Sequence, residues 1–145
     1  MNRKPFPENM INMGDWALCE KKISDIHQFI RISAIDFYID ERQKAWLENG
    51  TFEAIELFPF LRYFGEDKLE KMRQGHEEWI YELYAFKIKY QDLSSEIDTA
   101  LSRFDEINYA FDSYEELISF IGKNFGACEK DFDKVWKTNW DLAGG

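Results

Sequence analysis

Along most of this chain apolar residues recur at steps of three and four, the spacing that lines one face of a helix. Ile23, Ile26, Phe29, Ile30, Ala34 and Phe37 form the first such stripe, in a segment starting near Asp15. Before it, Pro5 and Pro7 make residues 1–13 an irregular lead-in. Asp40 to Asn49 continues as a charged helix carrying Trp46 and Leu47, and Asn49-Gly50 stops it because glycine readily takes the left-handed cap conformation. Thr51 can cap the next segment, whose Phe52, Ile55, Leu57 and Phe58 lead to Pro59. Lacking an amide hydrogen, that proline opens a new helix or kinks the old one. Gly65 and Gly75 bracket a short charged helix, Glu66 to Arg73.

The second half repeats the pattern. Trp79, Ile80, Leu83, Phe86 and Tyr90 predict a helix over 76–90, and Ile97, Ala100, Leu101, Phe104, Ile107 and Phe111 predict another over 97–111. Ser113-Tyr-Glu-Glu116 has the form of a capping box, and the helix it opens, with Tyr114, Leu117, Ile118 and Ile121, ends at Gly122 or Gly126. A last helix is expected from about Lys130 to Leu142, carrying Phe132, Val135, Trp136 and Trp140. Phe29 to Ile39 is the one stretch rich enough in β-branched and aromatic residues for a strand, but its apolar steps fit a helix better. No hairpin signal or internal repeat is visible. The expectation is an all-α single domain over 1–145, with six to eight helices around one core.

Composition sharpens this picture. Of 145 residues, 45% are hydrophobic and 17% aromatic, which argues against disorder and for a ring-heavy core. Trp79 and Trp136 fall on apolar stripes and are assigned to that core, with Trp16, Trp46 and Trp140 left open. Acids outnumber bases 28 to 18, a formal net charge of −10, and the excess is concentrated: residues 91–145 hold 12 acids against 5 bases. Such a surface repels nucleic acid and anionic lipid and attracts a basic protein. Cys19 and Cys128 form no Cys-x-x-Cys pair and read as buried free thiols. No secretory signal is visible and no apolar run nears the ~20 residues that cross a bilayer, so the reading is cytoplasmic.

Candidate chemistry is sparse. His27 and His76 are the only histidines, and both read as surface or boundary residues. Neither is preceded by a Glu three residues earlier, as a di-iron bundle requires, and no zinc spacing occurs. Asp131-Phe-Asp133 resembles the start of a calcium loop, but Trp136 stands where glycine is needed and Leu142 where the bidentate Glu belongs. There is no phosphate loop and no nucleophile elbow. No cofactor, metal or catalytic residue is assigned. The alternatives are a helical enzyme or small-ligand binder with a carboxylate-lined pocket, and a structural subunit of a homo-oligomer.

The stretch from Ser102 to Glu116, S-R-F-D-E-I-N-Y-A-F-D-S-Y-E-E, interleaves rings with carboxylates, which suits recognition of a protein. On a helix with its apolar stripe inward, Asp98, Ser102, Asp105 and Tyr109 share the outer side, and Asn108 faces inward. Asp98, Asp105, Tyr109, Asp112 and Glu115 are the expected partner contacts, with Tyr109 as anchor and the acids as steering charge.

The runs W-I-Y-E-L-Y-A at Trp79–Ala85 and F-D-E-I-N-Y-A-F-D-S-Y-E-E-L-I-S-F-I at Phe104–Ile121 resemble a family of small acidic helical bacterial proteins encoded beside secreted polymorphic toxins as immunity proteins. The likeness spans about residues 76–122. It implies an antitoxin-like role, immunity by direct, tight binding to a toxin domain, often a basic nuclease. It transfers no site residues.

Overall fold

A computed structural model describes residues 5–64, 66–74, 78–93 and 102–140. The expected all-α bundle is not what forms. The described residues build one five-stranded antiparallel sheet in the order β4-β3-β2-β1-β5 with short helices packed around it. Its strands are β1 (Ala17–Ile23), β2 (Ile26–Phe37), β3 (Glu78–Lys89), β4 (Phe104–Phe111) and β5 (Phe132–Lys134). The helices are α1 (Glu8–Asn12), α2 (Glu41–Glu48), α3 (Ala54–Leu57), α4 (Glu66–Arg73) and α5 (Tyr114–Phe125).

Three predicted helices are therefore strands. The stripe from Ile23 to Phe37 belongs to the β1–β2 hairpin, the one over 76–90 becomes β3, and the described part of 97–111 becomes β4. In β2 and β3 the cause is burial of both sheet faces, whereas β4 is an edge strand with only Ala110 buried. A strand covered on both sides is apolar at odd and even positions alike, so the two-residue alternation disappears. Phe29 and Ile30, adjacent in sequence, are both fully buried. Gln28, Arg31, Ser33 and Asp36 interrupt β2 at uneven steps, and what remains mimics a helical stripe. The β1–β2 turn, Ser24-Asp25, contains no glycine, yet Ser24 adopts a left-handed φ of 59°. That is why the hairpin gave no signal.

The last predicted helix also fails. Glu129–Asp131 and Val135–Lys137 are single 3₁₀ turns flanking β5. Residues 1–13, expected to be irregular, contain α1, while residues 141–145 lie outside the described residues.

Other helix expectations hold. Asp40 caps α2: its carboxylate accepts from the Gln43 amide (2.8 Å), and the Gln43 side chain accepts from the Asp40 amide (3.0 Å). Gly50, at φ 75°, follows α2 as predicted. Glu53, rather than Thr51, occupies the cap position of α3, and Pro59 opens a 3₁₀ helix, Pro59–Tyr63. The bounds of α4 match Glu66 to Arg73. Ser113 accepts from the Glu116 amide at 3.1 Å, although among the described residues the return bond of the capping box is not made. Gly126, at φ 62°, ends α5.

Register sorts the core onto two faces. On the first face, Ala17 and Cys19 of β1 stand beside Ile32 and Ile30 of β2, which pair with Leu83 and Ala85 of β3. Leu117 and Ile121 of α5 and Ile11 of α1 close over them. On the second face, Phe29 pairs with Phe86, and Trp140 packs on both rings with Leu18 and Val135 nearby. Farther along the same face, Ile80 and Ala110 lie under Phe58, Phe60 and Met72 from the β2–β3 connection. Each fully buried Ile, Leu or Phe contributes about 1.5–3 kcal/mol of transfer free energy.

Candidate protein-binding face

Strand β4 is a sheet edge, and α5 follows it after the two-residue link Asp112-Ser113. Among the described residues no strand pairs with the outer side of β4, so Ser102–Glu116 runs along a border of the sheet and around a corner into the first turn of α5. In a strand, Ile107, Tyr109 and Phe111 share one face, so the helical prediction that set Tyr109 opposite the apolar positions is overturned. Asn108, predicted inward, is exposed on the other face. Tyr109 is nevertheless 41% exposed. Its ring touches a cluster of rings: Phe120 at 5.1 Å, Tyr63 at 5.4 Å and Phe111 at 6.4 Å between centroids. The Tyr63 hydroxyl donates to the Asn108 carbonyl, so the 3₁₀ helix Pro59–Tyr63 props this part of the edge.

The predicted acids are dispersed along that edge. Asp105 sits at one end, at φ 51°, where the β3–β4 register shifts, and forms an ion pair with Lys87 (3.2 Å). Asp112 lies at the other end, seven residues on, about 20 Å at the strand rise, and its carboxylate holds the Lys68 ammonium at 2.7 Å. Lys68 is buried, and its ammonium also donates to the Trp79 carbonyl. Asp112 is therefore committed to its own fold. Glu115 is exposed in the first turn of α5, and Asp98 lies outside the described residues. Beside Tyr109, Phe111 and Phe120 floor a shallow groove of about 460 Å³ rimmed by Glu115, Glu116, Ser119 and Lys123.

Sequence reasoning missed a second polar locality on the second sheet face. Between the apolar cover built around Trp140 and the one built around Phe58 runs a strip containing Arg31 and Tyr84, paired across β2 and β3, and Ser33 and Glu82, the next pair along. All four are half-buried. Burial raises the Glu82 carboxyl above the usual carboxylate range, against the pull of Arg31. No motif flags these residues; only pairing brings them together.

His27 also departs from the surface reading. It is buried, stacks on Tyr90 at 5.4 Å, and its Nδ1 lies 2.9 Å from Glu20. Glu20 accepts from the Asn139 amide and side chain, tying the segment before Trp140 to β1. Cys19 is buried as expected and Cys128 exposed, and both thiols are free. Trp79 and Trp136, assigned to the core, are 37% and 69% exposed, whereas Trp140 is 3% exposed. Among the described residues, no helix is long and apolar enough to cross a membrane, and no group of three His, Cys, Asp or Glu gathers to hold a metal ion. No family model, curated protein or solved structure matches the chain.

Proposed function

We propose that this chain is a protein-binding module of the immunity-protein kind, which covers a basic surface on a partner with the β4 edge and the start of α5. The observation carrying the reading is Tyr109. It is an exposed ring supported by Tyr63, Phe111 and Phe120, and the Glu115 and Glu116 carboxylates, on the groove lined by Phe111 and Phe120, are exposed and form no ion pair among the described residues. A ring held by other rings loses little freedom on contact, and carboxylates around it speed encounter with a cation-rich surface. The contact set thus shifts from the one read in the sequence. Of the five residues read in the sequence, Tyr109 and Glu115 are kept and Glu116 is added, while Asp105 and Asp112 already hold lysines and Asp98 lies outside the described residues.

The test is binding kinetics against the product of the adjacent gene, the partner this reading implies. Tyr109→Ala should raise the dissociation rate at least tenfold. Glu115→Lys with Glu116→Lys should slow association several-fold at low salt, an effect that shrinks as salt is added. Unaltered kinetics in both variants would move the interface elsewhere.

A further inference from the structure

Arg31 stands out on the second face of the sheet. Its guanidinium lies 4.3 Å from the Trp16 ring centroid, 5.2 Å from that of Tyr84 and 5.9 Å from that of Trp140. Its Nε is shut off from solvent with no hydrogen-bond partner, and among the described residues no carboxylate comes within ion-pair distance of it. Glu82, diagonal to it across β2 and β3, attracts it without closing an ion pair. A half-buried guanidinium left without an acceptor forfeits the strong charge-assisted bonds that its planar fork is shaped to make.

We propose that this strip binds a small organic monocarboxylate with a flat apolar body. Its carboxylate would sit on the free edge of Arg31, and its body against Trp16. Arg103 reinforces the positive side: its Nη1 donates to the Tyr84 hydroxyl at 3.3 Å, and its guanidinium lies 4.2 Å from the Phe86 ring centroid. A carboxylate matches the planar fork of Arg31 edge to edge, and the rings around it suit an apolar body that inorganic phosphate lacks. Trp16 is 41% exposed, so a ring can reach it, and the half-buried strip keeps solvent from fully screening the charge pairing. The site lies on the face opposite Tyr109, so it stands or falls independently of the protein-binding edge.

Benzoate, inorganic phosphate and benzamide are suitable probes, followed by tryptophan fluorescence and isothermal titration calorimetry on the full chain. Benzoate should give a saturable response in the millimolar range, at least tenfold tighter than phosphate, and benzamide none. Arg31→Gln should weaken benzoate at least tenfold. Arg31→Lys keeps the charge while losing the planar fork, and should weaken it several-fold even if the glutamine variant fails to fold. The absence of a saturable response to benzoate in the parent protein would overturn the proposal. So would equal binding of benzamide, or undiminished binding by folded Arg31→Lys and Arg31→Gln.

Discussion

One face of the sheet is closed by α5 and α1 as a single cluster, whereas the opposite face is roofed in two pieces with a polar strip between them. On the closed face the pairing columns are apolar from Ala17 through Ile32 to Leu83, and a single continuous cluster results. On the other, the Trp140 segment and the Phe58 segment each bury their own share, and Arg31, Ser33, Glu82 and Tyr84 are left between them. One face is built to hold the molecule together. The other leaves room for chemistry where its two covers do not meet.

Cutting into the closed face should have the largest effect. Leu117 is fully buried in α5, and Leu117→Ala should lower unfolding free energy by about 2–5 kcal/mol, because the deleted methyls leave a cavity that helix and sheet cannot both collapse into. Urea denaturation measures it, and a loss below 1 kcal/mol would mean that α5 does not seal this face. A smaller cost, about 1–3 kcal/mol, is expected for Asp112→Ala, which removes the Asp112 carboxylate from the buried Lys68 ammonium. A variant as stable as the parent would return Asp112 to the list of partner contacts.

The third difference emerges only at alkaline pH. Burial, assisted by the Asp131 carboxylate, pushes the Cys19 thiol up from 9.0 to about 11. Burial also raises the phenol of Tyr114, helped by its hydrogen bond to the Glu129 carboxylate, and that of Tyr81, helped by Glu8. All three belong to the closed face. Because the folded values lie above the unfolded ones, the unfolded chain releases these protons first. For Cys19 the stabilisation is complete below pH 9 and drains away as pH rises to about 11, and the two tyrosines extend the loss upward from about pH 10. Denaturation midpoints should therefore fall between pH 9 and 11, and Cys19→Ala should flatten the early part of that fall. An unchanged slope in the variant would reassign the effect to the tyrosines.

What was legible in the sequence follows the same division. Helices α2, α4 and α5 announced themselves through local devices: the Asn49-Gly50 stop, the glycines around Glu66–Arg73, and the Ser113 cap with Gly126. Each device acts within a few residues, so one chain segment suffices to read it. The strands did not, because their apolar positions answer to neighbours far away. Ile30 is buried by Cys19 and Ala85, and nothing in the spacing of β2 reveals them. At the site, Tyr109 and the general acidity of β4 were readable. That Asp105 and Asp112 already have lysine partners was not, because Lys68 and Lys87 come from other elements. The strip around Arg31 lay wholly beyond reach, since it exists only across strand pairs.

The order β4-β3-β2-β1-β5 also governs when the molecule can be completed during synthesis. The first three strands form a central meander whose last member ends at Lys89, but β5 pairs with β1 more than a hundred residues after that strand is made. Until residues 132–134 leave the ribosome, β1 is a bare border with open amide and carbonyl groups, a surface on which another nascent chain could dock. The late arrival of β5, followed by Trp140 over Phe29 and Phe86, covers the Ala17–Cys19 part of that border, so this step is protective as well as stabilising.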